Sequence, residues 1–283
     1  MCKRSYNPIL NRCSQSEASE CRVKKWRFLK LDVNDAFTNM ALDEAITTAR
    51  VSDHIPNTLR LYRWNPSAVS VGRFQDMLNE VNAEKCREHG VDVVRRITGG
   101  GTVYHDSQDE ITYSVIVNEK DFGTQDVIYA YNKICNGLIQ AARMLNLNAS
   151  FSPGDQRNCP NIAVNGKKIS GSAQYHKGGV ILQHGTFLLD ADLQKMFTYL
   201  RAPWAKTVEE IVCVASDRIT SVKRELKHDI PTEKVADALV EGFKQALEVE
   251  LEEGALTDHE RKLASKLRDE KYSKDTWNFK GDA

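Results

Sequence analysis

Three consecutive glycines stand close to two arginines in the segment Arg95–Asp106, and this combination can bind an anion. Glycines leave backbone N–H groups unshielded, so that several of them can turn together toward a negative charge. Arg96 can add a planar guanidinium fork that suits a phosphate or a carboxylate. The segment lacks both the Gly-Lys-Ser/Thr ending of a Walker A loop and the spacing of a dinucleotide fingerprint. Two interpretations stay open on these residues alone, an anion site and a glycine turn at a sheet corner.

A second segment with candidate chemistry, Asn165–Gln174, places Lys168 just after an Asn-Gly turn. A lysine in that position can neutralise a phosphate or polarise a carbonyl group. Lys167 and Lys168 should point to opposite faces of a strand, so only one of the two is expected to face a site. Paired lysines at a hairpin are also common as solvated surface, and this alternative stays open.

Two histidines and one cysteine are further candidates. His105 and His184 lie in strongly patterned segments, where each is either a general base or, as we prefer, a hydrogen-bonded core residue. Cys159 lies in the loop before the lysine hairpin. A nearby lysine would favour its thiolate and make it a nucleophile, whereas an inert loop cysteine is the alternative.

Alternating and amphipathic patterns predict the elements that must position these residues. Strands are predicted at residues 26–31, 58–64, 68–71, 91–95, 110–117 and 180–189, and an Asn-Gly hairpin at residues 162–170. Helices are predicted after a cap at Asn39, after a cap at Asp126, and beyond Pro231, where Thr257 and Glu260 form a capping box for the last helix. The elements are mixed without a regular βαβ rhythm. This favours an α+β fold with a mixed or antiparallel sheet flanked by helices.

The composition excludes several classes of protein. The 283 residues include 39 Lys+Arg and 39 Asp+Glu, so the net charge is zero and gives no overall attraction to nucleic acid. No apolar stretch is long enough to span a membrane. Seven cysteines without a CxxC pair predict free thiols in a cytoplasmic protein. We expect a disordered tail at residues 1–24, a catalytic domain at 25–230, and a C-terminal helical segment at 231–283 packed on that domain.

Together the two chemistry-bearing segments resemble the lipoate–protein ligase A family. The resemblance extends from about Trp26 to Phe279, and shorter motifs occur in the same order at Asn39–Glu44, Val71–Gln75, Glu80–Asn82 and His184–Thr186. It implies the catalytic-domain fold of biotin–protein ligases and class II aminoacyl-tRNA synthetases. It also implies that ATP, with Mg²⁺ bridging its phosphates, converts lipoate to lipoyl-AMP. The lipoyl group then passes to a lysine on a lipoyl domain of a 2-oxoacid dehydrogenase E2 or a glycine cleavage H protein.

The resemblance also implies roles for individual residues. Lys168 is the implied catalytic residue, contacting the carboxylate or the acyl-adenylate carbonyl. The implied ATP and adenylate contacts are Arg96, Gly101, Thr102, Val103, Tyr104 and Lys168. The implied lipoate contacts are Arg73, Gly99, Gly100, His105 and Lys168. We expect His105 and Asp106 to brace the loop rather than react.

Two departures from the family pattern qualify these roles. The family usually has Asn-Asp before the lysine hairpin, but Asn158–Asn161 contains no carboxylate, so the metal ligands are unknown. The sequence also ends where many ligases continue into an accessory domain. This resembles bipartite ligases, whose small second subunit is a separate chain, and it makes an accessory subunit an expected partner.

The related octanoyltransferases and lipoyl amidotransferases provide the alternative hypothesis. They form a thioester on a cysteine in the loop before the lysine hairpin and use no ATP. Cys159 lies in that loop, although several residues closer to the hairpin glycine than their pattern places it. The ATP-dependent ligase is the main functional prediction and the Cys159 acyltransferase is the second. A non-catalytic module that binds lipoyl-AMP or a lipoyl domain is the third.

Overall fold

The computed structural model describes residues 23–123, 126–154, 160–202 and 204–281. Its strands are β1 Lys24–Asn34, β2 Thr58–Trp64, β3 Ala68–Val71, β4 Asp92–Arg95, β5 Val103–His105, β6 Glu110–Asn118, β7 Ala149–Ser152, β8 Asn161–Val164, β9 Lys167–Lys177, β10 Val180–Leu188 and β11 Val249–Glu253. Its helices are α1 Ala36–Val51, α2 Met77–Glu80, α3 Ala83–Glu88, α4 Val127–Met144, α5 Leu193–Tyr199, α6 Val208–Ser216, α7 Val222–Leu226, α8 Thr232–Leu247, α9 Asp258–Leu267 and α10 Asp275–Lys280. A 3₁₀ turn at Glu119–Asp121 and a π-helical turn at Arg268–Tyr272 complete the elements.

Two sheets organise the molecule. The larger one has the strand order β11-β1-β2-β6-β10-β9-β8-β7, and the smaller one has the order β4-β3-β5. In the larger sheet β1 pairs in parallel with both β11 and β2, while the other strand pairs are antiparallel. The prediction of an α+β fold with a mixed sheet flanked by helices is therefore confirmed.

Helices cover both faces of the larger sheet, because its central strands carry apolar side chains on both sides. Helices α4 and α8 pack on one face over residues such as Leu61 and Ile181, and α1 packs on the other over Tyr62 and Leu182. A β-carbon on Gly242 would lie 2.4 Å from the carbonyl oxygen of Gly137, so α4 and α8 approach closely only because both positions lack a side chain. Within the described ranges, no helix has the length and apolar character needed to cross a membrane.

Several local predictions are confirmed by short-range hydrogen bonds. Asp126 caps α4 by accepting from the N–H of Tyr129 at 2.9 Å, and Thr257 and Glu260 form a capping box before α9. Asn165 and Gly166 both adopt positive φ between β8 and β9, as a tight hairpin turn requires. Each of these features is fixed by neighbours within a few residues.

The start of α1 differs from the prediction. The helix begins at Ala36 with Asp35 as its cap, whose carboxylate accepts from the N–H of Thr38 at 2.7 Å. Asn39, the predicted cap, lies inside the helix and is buried. Its side chain is used instead by tertiary partners: the amide donates to the Arg63 carbonyl at 3.0 Å and accepts from Arg60 at 2.6 Å.

The C-terminal segment contributes a strand as well as helices. β11 pairs in parallel with β1, and α10 packs against the smaller sheet. There the Arg95 Nε donates to the carbonyls of Trp277 and Asn278, both at 3.1 Å, while the Trp277 indole donates to the Arg95 carbonyl at 2.7 Å. Arg95 is therefore a buried anchor for the C-terminal helix, although it is next to Arg96 in the sequence.

Candidate functional site

A cavity of about 550 Å³ lies between the glycine segment and the lysine hairpin. Its inner end is formed by Met40, Tyr62 and Trp64, all buried, and its outer end by the exposed residues Lys168 and Arg218. The volume is in the range of small-molecule sites, about 300–1,000 Å³. The cavity therefore runs from a positively charged rim to an apolar, aromatic floor.

The structure brings most of the predicted site residues to this cavity. The predicted residues among its lining are Arg96, Gly100, Gly101, Thr102, Val103, His105 and Lys168, together with the candidate His184. Gly99, Arg73 and Tyr104 are outside the lining. Cys159 lies outside the described residues, but Pro160, the next residue, lines the cavity.

Lys168 is held at the rim by its backbone. Its N–H donates to the Arg218 carbonyl at 2.7 Å, and its carbonyl accepts from the Thr220 N–H at 2.9 Å. The side chain passes over Gly171, where an added β-carbon would lie 2.7 Å from both Cε and Nζ. Lys167 points away, and its Nζ donates to the Ser216 carbonyl at 2.9 Å. As strand alternation predicted, one lysine of the pair faces the cavity.

The glycine segment forms the opposite wall and depends on close backbone packing. Gly100 has a φ of +88°, which favours glycine. A β-carbon on Gly72 would lie 2.0 Å from the Gly100 carbonyl oxygen. Glycine is therefore required at positions 72 and 100 for steric reasons. This agrees with a glycine turn at a sheet corner as well as with an anion site.

Arg96 braces this wall from behind. Its Nε donates to Thr98 Oγ1 at 3.0 Å and its Nη1 to the carbonyl and hydroxyl oxygens of Ser70 at 3.0 and 3.1 Å. Its Nη2 donates to the carbonyls of Gly99 and Gly101 at 2.9 and 2.7 Å. These bonds use all five N–H groups of the guanidinium. The arrangement is that of a structural brace, and the phosphate contact expected of Arg96 stays a prediction.

Arg73 and Tyr104 face other parts of the molecule. The Arg73 guanidinium lies over the Trp277 ring, 4.2 Å from its centroid. Tyr104 points to the face of β5 opposite Val103 and His105. There it stacks on Tyr199 with ring centroids 5.2 Å apart, and burial raises its pKa to about 12. Neither side chain contributes to the cavity as the structure describes it.

Both histidines are hydrogen-bonded core residues that also reach the cavity wall, which confirms the preferred interpretation. His184 contacts Asp43 Oδ2 through Nδ1 at 2.9 Å and Thr98 Oγ1 through Nε2 at 2.8 Å. His105 stacks on Trp64, with ring centroids 4.0 Å apart. Burial lowers the pKa of His184 below its ordinary value, although the hydrogen bond to Asp43 opposes this.

Sequence reasoning missed Asp43, which is fully buried behind the cavity. Its carboxylate accepts from Arg60 at 2.9 Å, from Ser114 and Tyr62 at 3.0 Å, and from His184. Burial alone would raise the pKa of Asp43, but the hydrogen bond from His184 and the charge of Arg60 outweigh it and place the pKa below its ordinary value. The signal was present, since a carboxylate three residues from both Met40 and Ile46 falls on the apolar face of a helix.

None of the cysteines that the structure describes supplies a thiolate to this cavity. Cys86 and Cys135 are buried, and burial raises the pKa of each thiol to about 11. Cys213 is exposed on α6, outside the cavity lining. Among the cysteines with a described chain neighbour, Cys159 is thus the one whose neighbour, Pro160, lines the cavity.

The described residues do not fit the predicted Mg²⁺. Magnesium prefers carboxylate and other oxygen ligands, and no carboxylate is among the described residues that line the cavity. Over the same part of the chain, no group of three or more His, Cys, Asp or Glu is placed to hold a metal ion.

Comparison with known proteins relates this chain to lipoyl protein ligases and octanoyltransferases. The family model of the lipoyl protein ligase A/B catalytic domain matches residues 35–244. Octanoyltransferase LipM of Kyrpidia tusciae is 37% identical over 276 residues, covering 91% of this chain and 100% of the relative. LipM of Clostridioides difficile is 32% identical over 273 residues, with the same coverage.

Solved structures with similar folds include lipoate ligases. The bipartite lipoate protein ligase of Thermoplasma acidophilum has a TM-score of 0.78 at 28% identity, covering 92% of this chain and 98% of that one. A lipoate-protein ligase A bound with ATP also has a TM-score of 0.78 at 28% identity, covering 90% and 98%.

These comparisons correct the main functional prediction. An ATP-dependent, AMP-forming ligase was expected, but the relatives that share 32–37% identity over nearly their whole length are octanoyltransferases. The ligase structures are less similar in sequence, at 28%. The second hypothesis, acyl transfer without ATP, agrees better with these relatives.

Proposed function

Because this chain belongs to the lipoyl protein ligase A/B catalytic domain family, we propose that it is an acyltransferase. It moves an octanoyl or lipoyl group from an acylated carrier protein to a lysine amine on a lipoyl domain. The acyl group is held in between as a thioester on Cys159, and the reaction uses neither ATP nor Mg²⁺. The observation that carries this proposal is the cavity with Lys168 at its rim and a buried apolar floor.

The cavity suits a medium-length acyl chain. Its floor at Met40, Tyr62 and Trp64 offers apolar surface, and each methylene buried there contributes about 0.8 kcal/mol. The chain of an octanoyl or lipoyl group would extend toward this floor, so that its carbonyl carbon comes near the rim. The acyl carbonyl and Lys168 then meet at the exposed end, where a partner protein can approach.

The chemistry balances as two acyl exchanges. The Cys159 thiolate attacks the carrier thioester, a new C–S bond forms, and the carrier thiolate leaves and takes up a proton. The acceptor lysine, as the free amine, then attacks the Cys159 thioester. A C–N bond forms, the nitrogen loses one proton, and the thiol of Cys159 is regenerated.

Lys168 supports both steps through its positive charge. A cation beside the reacting carbonyl stabilises the negative charge that develops on oxygen in each tetrahedral intermediate. The same cation favours the thiolate form of a neighbouring cysteine, and a reactive thiol of this kind suits the reducing cytoplasm. The acceptors we propose are the lipoyl domains of a 2-oxoacid dehydrogenase E2 or a glycine cleavage H protein.

One assay tests the proposed function. The protein is incubated with an apo lipoyl domain and either an octanoylated carrier protein or free octanoic acid, each with and without ATP, and the acceptor mass is measured. With the carrier protein we expect the octanoyl mass increase both with and without ATP, and an acylated Cys159 peptide when the acceptor is left out. Cys159→Ser should abolish transfer, whereas the matched control Cys213→Ser should keep it. Acceptor modification only with ATP and the free acid, with no acylated Cys159, would refute the proposal.

A further inference from the structure

A buried chain of hydrogen bonds connects Asp43 to the glycine wall. Asp43 Oδ2 is 2.9 Å from His184 Nδ1, and His184 Nε2 is 2.8 Å from Thr98 Oγ1. Thr98 Oγ1 in turn accepts from Arg96 Nε at 3.0 Å. The order of groups is therefore carboxylate, imidazole, hydroxyl and guanidinium, and Thr98 has no exposed surface.

A second chain with the same order of groups reaches Arg96 from the other side. Glu110 Oε1 is 2.7 Å from His105 Nδ1, and His105 Nε2 is 2.8 Å from Ser70 Oγ. Ser70 Oγ accepts from Arg96 Nη1 at 3.1 Å. We name these two arrangements the Thr98 relay and the Ser70 relay.

The guanidinium fixes the direction of its own hydrogen bonds in both relays. Arginine can only donate, so each hydroxyl oxygen accepts from Arg96. We assign the proton of each hydroxyl to the bond with the histidine Nε2. In this assignment His184 and His105 share the Nδ1–H form, and each Nδ1 donates to its carboxylate.

The relays control a wall that has no side chains of its own. Arg96 uses its Nη2 to hold the Gly99 and Gly101 carbonyls, and glycine residues have more backbone freedom than any others. The position of this wall therefore depends on Arg96, whose own position depends on the two hydroxyls. Since the same wall lines the cavity opposite Lys168, a shift of the guanidinium moves one side of the site.

We propose that Thr98 and Ser70 are positioning residues for the acyl transfer, each acting through Arg96 on the glycine wall. This inference rests on the proposed function for its kinetic consequences and on the distances within the two relays for its hydrogen-bond pattern. Both hydroxyls are buried, with Ser70 only 2% exposed, and each is already bonded to Arg96 and to an imidazole. They hold the site in place and do not attack the substrate.

The Thr98 relay is the better supported of the two. The Asp43 carboxylate accepts four hydrogen bonds, including one from the cationic Arg60. The Oε2 atom of Glu110 has no hydrogen-bond partner among the residues that the structure describes. Removing the Thr98 hydroxyl should therefore affect the wall more than removing that of Ser70.

Kinetics of isosteric variants provide the first test. We expect Thr98→Val to lower kcat by about 10- to 100-fold, because small misplacements of a reacting group cost about that much. KM for the acyl donor should change by less than about threefold, since the apolar floor that binds the chain is unaffected. Thr98→Ser restores the hydroxyl and should recover most of kcat. Thr47→Val is the matched control, since it also removes a buried threonine hydroxyl. That hydroxyl donates to the backbone carbonyl of Asp43 at 2.7 Å and belongs to neither relay.

Nitrogen NMR of the ligand-free protein provides a second test that needs no activity. Both His184 and His105 should show a protonated Nδ1 and an unprotonated Nε2 near neutral pH. Thr98→Val should shift the amide resonances of Gly99–Gly101, while Thr47→Val should leave them in place. If Thr98→Val does not fold, Ser70→Ala is used instead and should shift the same resonances. A protonated Nε2 on either histidine, or glycine amides that do not respond, overturns the inference. If these NMR results hold in a protein without transferase activity, it is the proposed function that fails.

Discussion

The side chain of Lys168 crosses the backbone of Gly171 so closely that a β-carbon at position 171 would lie 2.7 Å from both its Cε and its Nζ. Lys168 is in this way aimed at the cavity by a residue three positions further along the same strand. We expect Gly171→Ala to displace the ammonium group and lower the rate of acyl transfer by about 10- to 100-fold. The double variant Lys168→Ala/Gly171→Ala should be no slower than Lys168→Ala alone, because the two changes act on one group. Additive losses would mean that Gly171 acts by another route.

Lys168→Ala should lower the rate of transfer further than Gly171→Ala does, while leaving the fold intact. The backbone N–H and carbonyl of Lys168 hydrogen-bond to Arg218 and Thr220, and alanine keeps both of these bonds. The free energy of unfolding measured with urea should therefore change little, by about 0.5 kcal/mol or less. Lys167→Ala is the matched control, since its side chain contacts Ser216 and not the cavity. Equal losses of activity in the two variants would contradict the assignment of Lys168.

The buried His184 predicts that the protein loses stability in mild acid. Burial lowers its pKa in the folded protein below the ordinary value of 6.5, so the unfolded chain binds a proton at this residue at a higher pH. The contribution of His184 to the free energy of unfolding is constant above about pH 6.5. Below that pH the free energy of unfolding falls as the pH drops toward the pKa of His184 in the folded protein. The free energy of unfolding in urea should be measured at about pH 7.5 and about pH 5.5. Between these two values it should fall more for the wild type than for His184→Gln, by up to about 1.4 kcal/mol per pH unit. Identical pH dependence in the two proteins would contradict a buried neutral imidazole.

The crossing of α4 and α8 should not tolerate a methyl group. A β-carbon on Gly242 would lie 2.4 Å from the Gly137 carbonyl oxygen and 2.6 Å from the Ala141 nitrogen. These are backbone atoms that cannot move aside, so Gly242→Ala should cost about 1–3 kcal/mol of unfolding free energy. Gln245→Ala, at an exposed position of the same helix, is the control and should stay within about 0.5 kcal/mol. Transfer activity per folded molecule should be unchanged, since this contact lies on the sheet face opposite α1.

Local chemistry explains which parts of the fold were predictable. The Asn165–Gly166 turn and the cap at Asp126 depend on residues within a few positions of each other, so short-range rules were enough to find them. The strand β11 was not predicted, because it lies between helices in the sequence. It is defined by its pairing with β1, which is far away along the chain. The predicted cap at Asn39 was wrong for the same reason, since Asp35 offered a better cap and distant partners used the Asn39 side chain.

The sequence by itself determined the α+β class, the two segments that carry the chemistry, and the family. These could be read from the sequence because motif order and backbone preference depend on residues that are close together along the chain. Only the tertiary structure decided what the side chains in those segments do. Thr98 meets a histidine 86 positions away, and that histidine meets a carboxylate 141 positions away. These contacts exist only after β6 and β10 pair beside α1. The tertiary structure also gives Arg95 and Arg96 different functions. Strand alternation turns the Arg95 guanidinium toward the C-terminal helix and the Arg96 guanidinium toward the glycine wall.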